Sequence, residues 1–150
     1  MIDRPPRSHR VAVAAYIFHD DRLLLLRRAN PPHVFAPPGG HLEPDEDPLA
    51  GLEREIREET GLSVRVLGVA HTWFGSIDGI QAPILGVDFI AEADEPKVTL
   101  CSEHSEYTWV NREQLSTGAV PTVTPDGHGY AREDLEGAFR LYALLRSSHE

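Results

Sequence analysis

The sequence predicts an α/β domain in which helices cover a mixed β-sheet. Three observations carry this reading. Strand-like apolar runs recur at 11–18, 23–26, 62–74, 80–93 and 106–110. Two segments, 47–61 and 132–146, hold apolar residues at helical spacing. Strands and helices do not alternate strictly, so an all-parallel sheet is not expected. At 150 residues the chain fits one domain, 1–150, around one core.

Each element follows from its residues. "VAVAAYIF" (11–18) is rich in strand formers, "HDDR" (19–22) is a turn, and "LLLL" (23–26) is a second buried strand, so the three read as a hairpin. "ANPPHVFAPPGG" (29–40) holds Pro31, Pro32, Pro37 and Pro38. Proline lacks an N–H donor and breaks both helices and central strands, so this segment reads as a stiff loop ending in two glycines. Asp47 before Pro48 is a helix start, with an acceptor at the N-cap and proline at the first helical position. Leu49, Leu52 and Ile56 form the apolar stripe, and Gly61 closes the helix. Two long strands, 62–74 and 80–93, flank the turn "GSIDG" (75–79), with Pro83 predicting an edge position or a bulge. "EYTWV" (106–110) is a short strand. In the last helix Leu135, Ala138, Phe139, Tyr142 and Leu145 form the stripe that should face the core.

Composition narrows the function classes. The formal net charge is −10, which disfavours a nucleic-acid polymer as partner. A small phosphate ligand remains compatible if a divalent cation bridges the two negative partners. No apolar run is long enough to span a membrane, and "MIDRPPRSHR" lacks the apolar stretch of a secretory signal. Cys101 is the single cysteine, so neither a disulfide framework nor a cysteine zinc cluster is expected. These features together predict a cytoplasmic protein.

The chemistry concentrates in "REIREET" (54–60). Glu55, Glu58 and Glu59 stand at i, i+3 and i+4, where like charges destabilise a helix by roughly 0.2–0.5 kcal/mol per pair. At about 100° per residue, Leu49, Leu52 and Ile56 share a sector of roughly 60°, and the three glutamates fill the adjoining 100° or so. Carboxylates that flank a buried seam take up protons or hold a cation. An all-oxygen set suits Mg²⁺, Mn²⁺ or Ca²⁺. Taken alone, a glutamate-rich turn is more commonly a solvated helical face.

The wider stretch "GHLEPDEDPLAGLEREIREETGL" (40–62) changes that weighting. Gly40, Glu46, Arg54, Glu55, Ile56, Glu58, Glu59, Gly61 and Leu62 match every fixed position of the Nudix box, G-x5-E-x7-R-E-U-x-E-E-x-G-U with U apolar. The flanks "LLLLRRA…PPGGHLEP" and "SEHSEYTWV" also resemble that family. The resemblance implies a Nudix fold: an α/β/α sandwich on a mixed sheet, with the box as loop–helix–loop. It implies hydrolysis of a nucleoside diphosphate linked to a further group X. It implies that Glu55, Glu58 and Glu59, with the carbonyl of Gly39, ligate Mg²⁺ or Mn²⁺, and that Arg54 and Glu46 pair to orient those carboxylates. A possible homodimer also goes with the fold.

Several roles stay open at this stage. The ions would offset the charge of a diphosphate facing an acidic helix and lower the pKa of an attacking water. A base must take that water's proton. Glu103 and Glu106 lie in the segment before Trp109 where relatives often carry it; distance to the tryptophan favours Glu103, Glu59 is an alternative, and His104 is weaker. By resemblance Arg28 would bind substrate phosphate. Phe35, Trp73 and Phe74 are candidates to stack on a base, although aromatics near strands are more often core.

The chain departs from the family in places that touch no defined box position. Asp45 replaces a glycine that relatives often have, and Gly51 sits inside the helix at a cost of about 1 kcal/mol against alanine. Ile77 and Asp78 stand where many ADP-ribose hydrolases carry a proline, and Ile80 where some dinucleoside polyphosphate hydrolases carry a tyrosine. These absences favour a compact, MutT-like nucleoside triphosphate pyrophosphohydrolase. A nucleotide-sugar pyrophosphatase of the ADP-ribose type is the enzyme alternative, and a non-catalytic nucleotide-sensing module the other class.

Overall fold

The structure is a computed structural model that describes residues 9–75 and 83–149. Seven strands form one mixed sheet: β1 (Arg10–His19), β2 (Arg22–Arg28), β3 (Phe35–Ala36), β4 (Gly39–His41), β5 (Val64–Gly75), β6 (Ile84–Ala93) and β7 (His104–Val110). Three helices accompany them: α1 (Pro48–Thr60), α2 (Arg112–Ser116) and α3 (Arg132–His149). Strands β1 and β6 are parallel and every other pairing is antiparallel.

The β1–β2 hairpin turns through Asp20 and Asp21, both at positive φ (49° and 60°), with His19 opposite Arg22. Two such residues make the type I′ turn, whose twist matches the flanking strands. Beyond Phe18↔Leu23 the two strands part, and each takes a new neighbour in the gap. Ala12, Val13 and Ala14 of β1 pair with β4, while Leu26 and Arg27 of β2 pair with β3. The 29–40 segment is therefore not only a loop. Its prolines confine pairing to two short pieces, and Ala15 N–H donates to the Pro38 carbonyl to seat the second one. A Cβ on Gly39 would lie 2.2 Å from the Val13 carbonyl oxygen and 2.6 Å from Ala14 Cα. Glycine is needed there for closeness to β1.

The apolar runs are continuous because the sheet is covered on both faces. Tyr16, Phe18, Leu23 and Leu25 meet Leu135, Ala138, Phe139 and Tyr142 of α3, with Leu145 packed alongside. Val13, Ala15, Ile17, Leu24 and Leu26 meet Leu52 and Ile56 of α1. Each fully buried leucine of β2 contributes about 1.5–3 kcal/mol of transfer free energy.

Two expectations change. Leu49 leaves the stripe of α1: it is 47% exposed, while Leu52 and Ile56 are fully buried. Pro83 marks neither an edge nor a bulge, since β6 is an interior strand between β1 and β5 that starts one residue later, where its N–H groups are needed. The bulges lie in β5 instead, between Val66 and Gly68 and between Val69 and His71. Helix α2 was not foreseen, although Asn111 and Gln114 form a reciprocal capping box (2.8 Å in each direction) whose spacing is readable. Of the turn at 75–79, Gly75 ends β5; the rest, with Ile77, Asp78 and Ile80, lies outside the described residues.

Candidate active site

Helix α1 positions the carboxylates. Asp47 caps it, accepting from Leu49 N–H (3.0 Å) and Ala50 N–H (3.1 Å). Gly61, at φ 72°, ends it in the left-handed conformation and donates its N–H to the Arg57 carbonyl. Between the caps, exposure of the glutamates follows their angle from the Leu52–Ile56 seam. Glu59, nearest the seam, is 6% exposed; the Glu55 side chain is 15% exposed and that of Glu58 60%. The three are thus not equally desolvated, and Glu58 stands in water.

Arg54 organises the turn. Its Nε and Nη2 donate to the two oxygens of Glu46 at 2.7 and 2.8 Å, a bidentate fork. Its Nη1 reaches Glu55 Oε1 at 3.1 Å and Glu58 Oε2 at 3.3 Å. The fork pulls the Glu46 carboxyl down to about 2, chiefly through the Arg54 hydrogen bonds. Burial pushes Glu55 upward against the opposing pull of Arg54. Burial also pushes Glu59 up to about 8, opposed by a 3.2 Å hydrogen bond from Gly39 N–H and reinforced by Glu55, Glu103 and Glu58. Two glycines shape this arrangement. A Cβ on Gly51 would meet Leu42 Cδ2 at 2.3 Å and Glu46 Oε1 at 2.8 Å, which accounts for a glycine inside the helix. A Cβ on Gly40 would meet the Glu55 carboxyl at 2.5–2.7 Å. Asp45 holds φ 64°, the conformation a glycine would take freely there.

These groups open onto one cavity of about 510 Å³, lined by Gly39, Gly40, Glu55, Glu58, Glu59 and Glu103 among others. Glu106 is not on it: two residues into β7, it points to Arg27, 3.8 Å away. His104 is half-buried beside Cys101, its Nδ1 3.8 Å from Sγ, and burial pushes its pKa down. Among the described residues no three His, Cys, Asp or Glu side chains are already drawn close enough to grip an ion unaided. The donor set nevertheless fits a hard divalent cation that shares its coordination with water and substrate: Glu55, Glu58, Glu59 and Glu103 line the cavity, which His41 and Cys101 also border. Gly40→Ala is expected to push the Glu55 carboxyl off the cavity wall. A calorimetric Mn²⁺ titration should then show affinity weakened by about tenfold or more, and unchanged affinity would sink this role for Gly40.

The aromatic candidates separate. Phe35 is buried in the core with Tyr16 and Leu25, so it does not offer a stacking face. Phe74 is 64% exposed and its ring meets His9 edge-on. Trp73 and Arg28 line a second cavity of about 430 Å³, together with His71, Asp88 and Tyr130. A cleft of about 160 Å³ lies between them, sharing Gly39 and Gly40 with the first cavity and Trp73 and Asp88 with the second. Asp88 was missed by the sequence reading; a lone acid inside the apolar run "ILGVDFIA" was its signal.

The family model for the NUDIX domain matches residues 8–134. The chain belongs to the NUDIX family. It is 33% identical over 112 residues to a MutT-like protein of Streptomyces ambofaciens, covering 74% of this chain and 70% of that one. It is 30% identical over 95 residues to the asymmetrical bis(5'-nucleosyl)-tetraphosphatase of Mus musculus, covering 61% and 65%. Among solved structures, the MutT protein of Methanosarcina mazei Go1 superposes with a TM-score of 0.72 at 26% identity, covering 92% of this chain and 98% of that one. This NUDIX chain is accordingly a hydrolase of the pyrophosphatase type, built as an α/β/α sandwich on a mixed sheet. No helix among the described residues is long and apolar enough to cross a membrane.

Proposed function

We propose that the chain hydrolyses a diphosphate bond in a nucleoside triphosphate, or in another nucleoside diphosphate linked to X, with a divalent cation such as Mg²⁺ or Mn²⁺ held by Glu55, Glu58, Glu59 and Gly39. One observation carries this reading: the carboxylate cavity and a cavity walled by Trp73 and Arg28 flank a common cleft, which borders Gly39 and Gly40 of the first and Trp73 and Asp88 of the second. Such a site suits a ligand that is polyanionic at one end and aromatic at the other. Bound there, the cation would offset phosphate charge and polarise the phosphoryl oxygens. The chain's own residues do the rest. Arg54, locked to Glu46, holds Glu55 and Glu58 in place before substrate arrives. Glu103, on the cavity rim, accepts the proton of a water attacking phosphorus as the bond to the leaving phosphate breaks. Arg28 takes a phosphate oxygen, and the Trp73 face lies along the nucleoside.

A panel of nucleoside triphosphates, dinucleoside polyphosphates and nucleotide sugars, assayed with Mg²⁺ and with Mn²⁺, tests the reading. Pyrophosphate released from a triphosphate supports it, sugar phosphate from ADP-ribose supports the nucleotide-sugar alternative, and binding without turnover across the panel overturns both. Within an active reaction, Glu103→Gln should lower kcat by roughly 10²–10⁴. Glu106→Gln, on an exposed ion pair with Arg27, should change it by less than about twofold. Equal losses in the two variants would remove Glu103 as base, and a spared Glu103→Gln would pass the role to Glu59.

A further inference from the structure

The nucleoside-side cavity has an unusual floor. Asp88 sits at the middle of β6, 2% exposed, and borders both that cavity and the cleft leading to the carboxylates. Its Oδ2 is buried and makes no hydrogen bond among the described residues. His71 Nε2 is only 3.0 Å away, yet the same nitrogen is 2.8 Å from the Tyr16 hydroxyl, and one ring nitrogen cannot serve both groups well. Tyr16, Tyr130 and the Trp73 side chain turn hydrogen-bond donors toward the same carboxyl, yet Oδ2 stays the oxygen without a hydrogen bond. A buried acceptor left in this state costs about as much as a lost hydrogen bond unless a ligand completes it. Burial pushes the carboxyl upward and His71 opposes that push.

The neighbours define what can complete it. Gly86 lies opposite Trp73 in the β5–β6 register, and a Cβ there would sit 1.9 Å from the indole. The missing side chain lets the indole lie against the sheet, beside Asp88. A flat ring held along the indole would bring its edge to the carboxyl. A carboxylate offers acceptors only, so an edge N–H satisfies Oδ2, while a carbonyl oxygen placed there meets a lone pair.

We infer that Asp88 is a specificity-determining residue that selects nucleotides whose base carries an exocyclic amino group over those with a carbonyl or hydrogen in its place. This rests on the proposed reading that the cavity receives the nucleoside end of the substrate. Selection follows because the analogue lacking the exocyclic N–H either leaves Oδ2 unpaired in a buried site or must shift in the cavity to bring a ring N–H there.

The test is equilibrium binding by calorimetry of GMP against IMP and of CMP against UMP, pairs that differ at the amino position. The wild type should bind the amino member of at least one pair about tenfold more tightly or better. Asp88→Asn keeps the shape but presents an amide that can turn its donor outward. It should bring that ratio to about one or invert it, with folding checked by circular dichroism. Equal affinities within both pairs, no binding of any of the four, or a ratio unchanged in Asp88→Asn would overturn the inference. The wild-type comparison needs no variant, so a misfolded Asp88→Asn leaves it decisive. An amino preference in binding with no turnover of any triphosphate would leave the inference standing and remove the hydrolytic reading alone.

Discussion

Glu58→Gln is expected to lower kcat by roughly a thousandfold while leaving the fold intact. On the proposed reading Glu58 holds a cation against a phosphoryl group, and losing that charge removes several kcal/mol of transition-state stabilisation, at about 1.4 kcal/mol per factor of ten. The stability side is just as definite. The Glu58 side chain is 60% exposed and its partner in the structure is Arg54 at 3.3 Å, across an i,i+4 pair. Such pairs contribute about 0–1 kcal/mol, so Tm should move by no more than about 3 °C. Arg54 keeps its fork to Glu46 and its contact with Glu55, so the rest of the turn stays ordered. Initial rates with Mg²⁺ and a thermal melt check both halves. Full turnover in this variant would remove Glu58 from the cation site.

Glu59 should tie stability to both pH and cation. Its folded-state pKa is raised to about 8 from 4.5, mainly by burial. The folded chain therefore binds the proton more tightly than the unfolded chain, and unfolding becomes easier as pH rises between those two values. The metal-free protein should lose stability progressively from about pH 4.5 to pH 8 and then level off. Each pKa unit corresponds to about 1.4 kcal/mol, so the whole change is a few kcal/mol. Glu59→Gln holds no titrating proton there and should lack this component. On the proposed reading Mg²⁺ or Mn²⁺ would compete with the proton at Glu59, so either ion should raise Tm more at pH 8.5 than at pH 5. Parallel pH profiles for the wild type and Glu59→Gln would show that the carboxyl does not titrate as described.

Local chemistry explains which parts were readable. Helix α1 was legible at both ends because Asp47, Pro48 and Gly61 act on backbone groups within a few residues of themselves. The glutamates were legible as a group because spacing sets their angles, and their burial then follows distance from the Leu52–Ile56 seam. The hairpin turn was readable for the same local reason, while the split between β1 and β2 was not, because it depends on β3 and β4 arriving from elsewhere in the chain. Phe35 and Trp73 show the limit for aromatics. Both lie in or beside strands, yet one points into the core and the other onto a cavity, and only the register of their partners separates them. Glu103 and Glu106 are three residues apart, and the start of β7 between them turns one toward the carboxylates and the other toward Arg27.

The sequence by itself determined the fold class, the helix caps and the registry of Gly40, Glu46 and the three glutamates, since each depends on neighbours in the chain. Only the tertiary structure decided that Gly40 and Gly51 are spaces for carboxyl groups, and that Asp88 lies buried beside Trp73. Those features join residues 5 to 15 positions apart, through loops or across the sheet, and no local periodicity encodes which of them will touch.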